Sequence, residues 1–507
     1  VDQDRRHNRH VPDRRAFTVD ETSQVIPEKL LPSYLYIHPY IVRLKPLFAI
    51  LFLLFHVIAR AETDFIHVED IRLEGNKHTK KGIILRELDF HIGDTIHLDG
   101  LSSRIEHNQY LLMNSGLFSS AKINIKDWEE NGNVTVVIQL IERWYIWPIP
   151  FFELADRNFN VWINEYNGSL KRTNYGVYLD YANFTGSRDD LSFTIQQGFT
   201  QKYELKYNFP FVDKNKTIGL GVNFFYATNK EVAYLTEGNK ELFYRNDSLY
   251  LLRRLRFGVT LNYRPGLYVN HRWYFQYHHN RIPEIIPQEY NRDFLLNGNT
   301  DQRFATLFYE MSYDRRDIKP YPKKGGLVVA SFQKDGFGFN EGRNTLFISL
   351  LGAKYFTLNK KFNLDLVAKV RTELIRKKQD YYNYFGLGFY NDFLHGYEYY
   401  VIDGLDFGFF KTSLHYEAFD KTFDFTNILP FKQLKRVPIK LYLTWNTDYG
   451  YVNDPYYPEN NPLVNRFLYS TGIGVDIVLL YNNVMQIEYS MNHLRERGLF
   501  LHSRANF

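Results

Sequence analysis

The side chains able to do chemistry are numerous but scattered. Asp180, Asp189, Asp190, Glu310, Asp314 and Asp365 supply carboxylates, yet acid/base work needs two such groups held at a fixed separation in one site. Nothing in their spacing assembles a pair. Among 16 His, the tract His278-His279-Asn280 is the densest, and neighbours on a strand face opposite ways, so the two imidazoles do not share a ligand. The chain contains no His-Glu-x-x-His pair and no Gly-x-Ser-x-Gly elbow. Zero Cys removes thiolate nucleophiles, cysteine metal sites and disulfides together. The residues predict a non-enzyme without cofactor or metal. A net charge of +5 over 507 residues, with no dominant Lys/Arg cluster, predicts no nucleic-acid partner. One stretch stands apart. Phe385–Gly404 sets Gly386, Gly388, Gly396 and Gly404 among aromatics, and glycine permits the tight backbone path of a loop folded back into a wide interior. The plainer reading is an external loop with exposed aromatics.

Positioning such a loop requires walls, and the carboxy-terminal stretch supplies them. Ile439, Leu441, Leu443 and Trp445 alternate with Lys440, Tyr442, Thr444 and Asn446. Met485, Ile487, Tyr489 and Met491 alternate with Gln486, Glu488, Ser490 and Asn492, after Val484 breaks step. Leu499, Leu501, Ala505 and Phe507 share a face opposite His502, Arg504 and Asn506. Period two is a strand. Segments of about ten residues with charged polar faces suit tilted strands crossing lipid around a wet lumen, and a sheet in lipid must close on itself. The 42 Phe, 40 Tyr and 6 Trp, 17% aromatic in all, favour strands and membrane interfaces. Asp448 and Gly450 continue the polar register of 437–447, so Asp448 points inward, where a charge needs a partner.

From Trp144 onward about sixteen candidate strands follow, the first near 145–155 and the last near 498–507. Leu405–Glu417 loses phase near Phe410, which reads as a bulge. Asp213-Lys-Asn215 and Asn359-Lys-Lys361 are short turns, expected on the periplasmic side. His279–Gln302, Thr372–Gly404, Asp420–Arg436 and Tyr449–Arg466 are long loops, expected outside.

Upstream, residues 1–45 read as a disordered segment or the product of a start codon placed too far upstream. Residues 46–61, a short apolar run with an Ala59-Arg60-Ala61 exit, read as a signal peptide cleaved after Ala61. Residues 62–143 read as a small α+β domain of order β-α-α-β-β. Its helices are expected at Lys80–Leu88, capped by Thr79, and at Leu101–Asn114. Turns fall at Gly75-Asn76 and Gly93-Asp94, a helix stop at Gly116, and a hairpin crosses Glu130-Asn131-Gly132. Its sheet is expected to leave an edge able to accept a client strand; the bland alternative is a spacer.

These residues resemble the outer-membrane barrels of the BamA/TamA superfamily, specifically the short single-POTRA members common in Bacteroidetes. The likeness covers about residues 62–507 and rests on several motifs together. They are Gly75-Asn76, Gly93-Asp94, Asn114-Ser-Gly-Leu-Phe118, the entry Glu142-Arg-Trp-Tyr-Ile-Trp-Pro-Ile-Pro150 with Asp156–Asn160, and the final hairpin to Phe507. The resemblance implies an all-β transmembrane barrel of about sixteen antiparallel strands (144–507) after one POTRA-like periplasmic domain. It also implies a labile first–last strand seam, at whose terminus Phe500 and Phe507 stand, next to thinned membrane. Members insert other barrels or move polypeptides, so the implied partners are outer-membrane lipid, unfolded barrel or secreted clients, and periplasmic accessory proteins. A single POTRA implies fewer docking sites and a specialised role. In the family the loop before the twelfth strand carries Arg-Gly-Phe/Tyr, its arginine meeting an acidic residue. Here that position reads Leu394-His395-Gly396-Tyr397-Glu398 and the acid matches Asp448, so histidine replaces the arginine and a weaker lock is implied. The rival from another class is a diffusion channel or surface-binding barrel whose periplasmic domain is a spacer.

Overall fold

The computed structural model describes residues 65–154, 167–338, 343–424, 436–459, 461–479 and 483–504. The expected extension, signal peptide and cleavage site, Asp156–Asn160, and Ala505, Asn506 and Phe507 lie outside them.

The N-terminal domain runs β1 (Phe65–Glu74), α1 (Lys81–Arg86), β2 (Thr95–His97), α2 (Leu101–Asn114), β3 (Phe118–Lys126) and β4 (Asn133–Glu142). Its sheet order is β2-β1-β4-β3, with β1 and β4 parallel and the other pairs antiparallel. The expected β-α-α-β-β order lacked β2, whose three residues are too few to show a period. Six-residue α1 cannot stand alone; it forms because Ile83 and Ile84 bury against Ile66, Ile138 and Leu112, each worth about 1.5–3 kcal/mol. Thr79 does not cap it. The flanking residue is Lys80, without a side-chain cap, and the Thr79 hydroxyl is taken by Tyr145 Oη at 3.0 Å and by Asn183 Nδ2. Gly75 has φ +93°, and a Cβ there would lie 2.0 Å from Leu140 O, so only glycine turns the chain at this point. Asn76 Nδ2 ties that turn by donating to Thr79 O. Gly93 N–H donates to Val68 O, and Gly116 N–H to Met113 O at the end of α2.

The rest of the chain is a meander of long strands. They are β5 (Ile146–Leu154), β6 (Thr173–Tyr181), β7 (Asp190–Gly198), β8 (Thr200–Phe209) and β9 (Ile218–Asn229). After a hairpin of β10 (Glu231–Glu237) and β11 (Lys240–Arg245) come β12 (Leu252–Tyr263), β13 (Val269–Arg281), β14 (Asp301–Asp314) and β15 (Gly325–Asp335). Then follow β16 (Thr345–Thr357), β17 (Phe362–Glu373), β18 (Asp406–Asp424), β19 (Arg436–Asn453), β20 (Phe467–Val478), β21 (Val484–Asn492) and β22 (Arg497–Arg504). All except β10 and β11 join one 16-stranded antiparallel sheet in chain order from β5 to β22.

The sheet wears its apolar side outward. Leu443 and Trp445 are 48% and 57% exposed, whereas Tyr442, Thr444 and Asn446 between them are buried. Met485, Ile487 and Tyr489 are exposed, whereas Glu488, Ser490 and Asn492 are buried. A soluble sheet would reverse this pattern; a sheet bathed in lipid around a polar interior requires it.

Three expectations are corrected. The hairpin β10–β11 was missed; it packs Val232 into an apolar cluster with Leu251, Ile286, Phe294 and Leu295 from neighbouring loops. Asp420–Arg436 is not a long external loop: β18 runs to Asp424 and pairs with β19 down to Arg436. Counting strands puts this connection at the end where the N-terminal domain sits; its tip, 425–435, lies outside the described residues. Nor does β18 bulge at Phe410, for the register slips between Glu417 and Phe419. The apparent loss of phase has another cause. Phe407 and Phe409 face inward because the interior there receives an apolar loop.

Candidate functional site

That loop, 385–404, lies inside the sheet. Leu387, Leu394, Tyr397 and Ile402 pack on Phe407, Phe409, Val452 and Leu468. Gly450 makes room, since a Cβ there would stand 2.6 Å from Leu394 Cδ1. Gly396 turns the backbone at φ +81° against Met491 and Asn492.

From this turn the loop touches successive strands toward the end of the chain. His395 N–H donates to Asp448 Oδ2 on β19 at 2.9 Å. Its ring Nδ1 is 2.8 Å from the same oxygen, and Nε2 is 3.5 Å from Glu488 Oε2 on β21. Lys411 Nζ stands 3.7 Å from Asp448, which is 0% exposed. Asn446 Nδ2 donates to Glu488 at 2.6 Å. Asn492 Nδ2 donates to Gly396 O, and Tyr397 Oη donates to Tyr469 O and meets His493. Glu398 lies 3.2 Å from His502 on β22, and Tyr399 packs on Phe500, ring centroids 5.1 Å apart. Phe500 thus faces the interior. Glu488, Lys411, Asn446, Asn492 and His502 were not singled out from the sequence. The inward parity of Glu488, Asn446, Asn492 and His502 was visible there and that of Lys411 was not, and the partner of each depends on the loop's path.

A second constellation joins the N-terminal domain to the end of the sheet. Glu87, 2% exposed, accepts from Arg264 Nη1 and Nη2 at 2.6 and 2.8 Å and from Arg188 Nη1 at 3.0 Å. Burial alone would push its carboxyl up; Arg188, Arg264 and Arg86 overcome this and bring it down to about 2. Around it, His78 Nε2 donates to Asn183 O and Lys80 Nζ to Ser187 Oγ. Arg86 Nε donates to Lys216 O, and Asn114 Nδ2 to Asp317 O. The domain is therefore bolted to the turns 182–189, 210–217, 264–268 and 315–324. The last of these also reaches into the interior. Tyr321 Oη donates to Asp476 Oδ2 at 2.9 Å, lies 2.9 Å from His415 Nδ1, and its ring sits 4.7 Å from Tyr442.

The third feature is a seam. Among the described residues no ladder joins β5 to β22. Ala182 N–H donates to Tyr145 O, so odd residues of this strand point their backbone groups toward β6 and even ones toward the seam. Pro148 and Pro150 are even, and proline has no N–H. The free edge of β5 thereby lacks two donors.

The carboxylates considered for catalysis are dispersed. Glu310 pairs with Arg272, Asp314 with Arg316, and Asp365 with His415. Asp189 holds the turn at Thr185, and Asp190 accepts from Asn183 N–H. His278 stacks on Phe304 inside, while His279 faces out against Asp301. Among the described residues no group of three His, Asp or Glu has the arrangement of a metal site.

Residues 66–143 match the POTRA family model, described as surface antigen variable number repeat. CdiB from Escherichia coli is similar over 86% of this chain and 75% of its own, with TM-score 0.50 and 11% identity. The fold is a POTRA-like domain followed by one 16-stranded antiparallel sheet. BamA from Haemophilus ducreyi, in a structure lacking POTRA domains 1–3, is similar over 86% of this chain and 83% of its own, with TM-score 0.47 and 15% identity. No curated protein sequence matches. The POTRA-like domain is the one held by Glu87. By strand count from it, loop 385–404 enters the sheet's interior from the opposite end.

Proposed function

We propose that this chain sits in the outer membrane with its POTRA-like domain in the periplasm, and there inserts barrel proteins or moves polypeptides. One observation carries the reading: among the described residues the first and last strands of a lipid-facing sheet do not pair with each other, and Pro148 and Pro150 stand on the open edge of β5. An unpaired edge in lipid is costly and wants a strand. A client segment pairing there gains backbone bonds that β5 and β22 do not make with each other. The POTRA-like domain offers a first contact, since β3 is an edge of its sheet and pairs only with β4 among the described residues. Clients are extended segments of unfolded barrel or secreted proteins, and the single POTRA-like domain suits a specialised role. His395 against Asp448, with Gly396, Tyr397 and Glu398, serves as the lock that holds β19 to β22 in line while the seam works.

The test is a disulfide across the seam, which the absence of native Cys makes clean. Cysteine pairs placed between 151–153 and 499–501 should stop client assembly or secretion when oxidised and restore it when reduced. Unaltered assembly in the oxidised form, with solute flux the sole activity found, would overturn the reading in favour of a diffusion channel.

A further inference from the structure

Outside the lumen, the described residues hold a charged patch that neither the seam nor the loop uses. It lies on the outward face of β12, β13 and β14, at the end away from the POTRA-like domain. Arg253 stands directly opposite Arg281, which stands opposite Asp301; one step down, His279 stands opposite Arg303. Asp301 takes all the acid-side contacts: Arg281 Nε at 2.6 Å, Arg303 Nε at 2.8 Å and His279 Nε2 at 2.9 Å. Arg281 and Arg303 nevertheless remain 55% and 50% exposed. Arg253 lies 5.7 Å from the Tyr250 ring and has no ion pair among the described residues. Three guanidiniums against one carboxylate leave two positive charges. A like-charged pair directly across a ladder is destabilising by itself, so the Arg253–Arg281 juxtaposition calls for an anion.

The depth of the patch says which anion. Below it on the same face run Phe257, Val259 and Leu261 on β12 and Phe275 and Tyr277 on β13, all exposed. The cations therefore lie where hydrocarbon gives way to headgroups, with Tyr250 and Tyr277 at the level interfacial aromatics occupy. We propose that Arg253, Arg281, Arg303 and His279 form a binding site for the phosphate-bearing headgroup of a lipid in the outer leaflet. Guanidinium forks match phosphate oxygens, and the acyl chains of the same molecule lie on Phe257 and Phe275. Free phosphate would forgo those apolar contacts. The site rests on the outward face being the lipid face.

The experiment is native mass spectrometry of the purified full chain in non-ionic detergent with phosphatidate, phosphatidylcholine or inorganic phosphate. The intact protein should retain phosphatidate over phosphatidylcholine. R253Q/R281Q should cut that retention about twenty-five-fold, roughly fivefold for each cation near a lipid surface, whereas R253K/R281K, which keeps both charges but not the forks, should lose less of it. Equal retention by R253Q/R281Q and the intact protein overturns the site. So does displacement of phosphatidate by an equal concentration of inorganic phosphate, which would mark a free-anion site. Strand content by circular dichroism shows that each variant is folded. A chain that stays soluble without detergent would defeat the membrane reading itself, a failure distinct from loss of lipid selectivity.

Discussion

At the scale of single residues, two buried carboxylates, Asp448 and Glu87, anchor loop 385–404 and the N-terminal domain, and each anchor can be tested alone. His395 brings fewer donors to Asp448 and Glu488 than an arginine would. Asp448 Oδ1 and Glu488 Oε1 have no hydrogen-bond partner among the described residues, and a cavity of about 140 Å³ borders His395. A guanidinium has both room and partners there. His395→Arg should tighten the loop by about 1.5–3 kcal/mol, the worth of a charged hydrogen bond, and slow proteolysis within 385–404 at least tenfold. No gain in protection would count against the contact. Glu87 makes a pH-dependent bolt. Its carboxyl sits at about 2 against an ordinary 4.5, so its stabilisation of docking is full above pH 4.5 and lost as pH falls toward 2. A depression of this size is worth about 3 kcal/mol. A cysteine pair between Lys80 and Ser187 should therefore crosslink efficiently at pH 7. In a Glu87→Gln background, where three arginines lose their buried anion, crosslinking at pH 7 should drop severalfold. An undiminished yield would show that the surrounding hydrogen bonds suffice.

At the scale of elements, the sheet was legible and the fit between elements was not. Strands β19, β21 and β22 declare themselves because every second residue meets lipid and the others meet a polar interior, a contrast as strong as in any soluble sheet but inverted. The same logic misled at Phe410, where Phe407 and Phe409 meet the loop and the interior is locally apolar. It was silent on β2 and on β10–β11, which are short and owe their form to packing. Gly450 and Leu394 illustrate what a linear reading lacks: 56 positions apart, they share one space. Gly450→Val should overpack that space by about 1–3 kcal/mol and expose the loop to protease, while adding Leu394→Ala should recover most of the loss. Failure of the second change to compensate would place the strain elsewhere. The seam allows a similar test. Pro148→Val with Pro150→Val restores two donors on the open edge, worth about 0.5–1.5 kcal/mol each. Disulfide trapping between β5 and β22 should become faster, and client assembly slower. Trapping at an unchanged rate would mean that donors on β5 do not limit closure.

At the scale of the molecule, two in-folded segments approach one wall from opposite ends. Loop 385–404 lies on β18 to β21 from the side away from the POTRA-like domain. The turn 315–324 reaches β18 to β20 from the domain's side, through Tyr321 on His415, Tyr442 and Asp476 and Lys323 on Glu417. The first approach is legible in the glycines set among aromatics in 385–404; the second is not written in its turn. Lys319-Pro-Tyr-Pro-Lys323 reads as an ordinary polar turn, and its inward path exists because buried Asp476 and His415 await a hydroxyl. Both segments stand in the way of through-flow, and on that point the protein-handling reading and the channel reading predict different conductances. In planar bilayers the intact chain should conduct poorly. Replacing 388–401 by a short glycine linker should raise the conductance several-fold, and adding Tyr321→Ala should raise it further, since each change removes one of the two obstructions. High conductance in the intact chain, unmoved by either change, would mean that ions bypass both segments. The lumen would then be a standing passage, and the absence of a ladder between β5 and β22 among the described residues would have to be explained without a client.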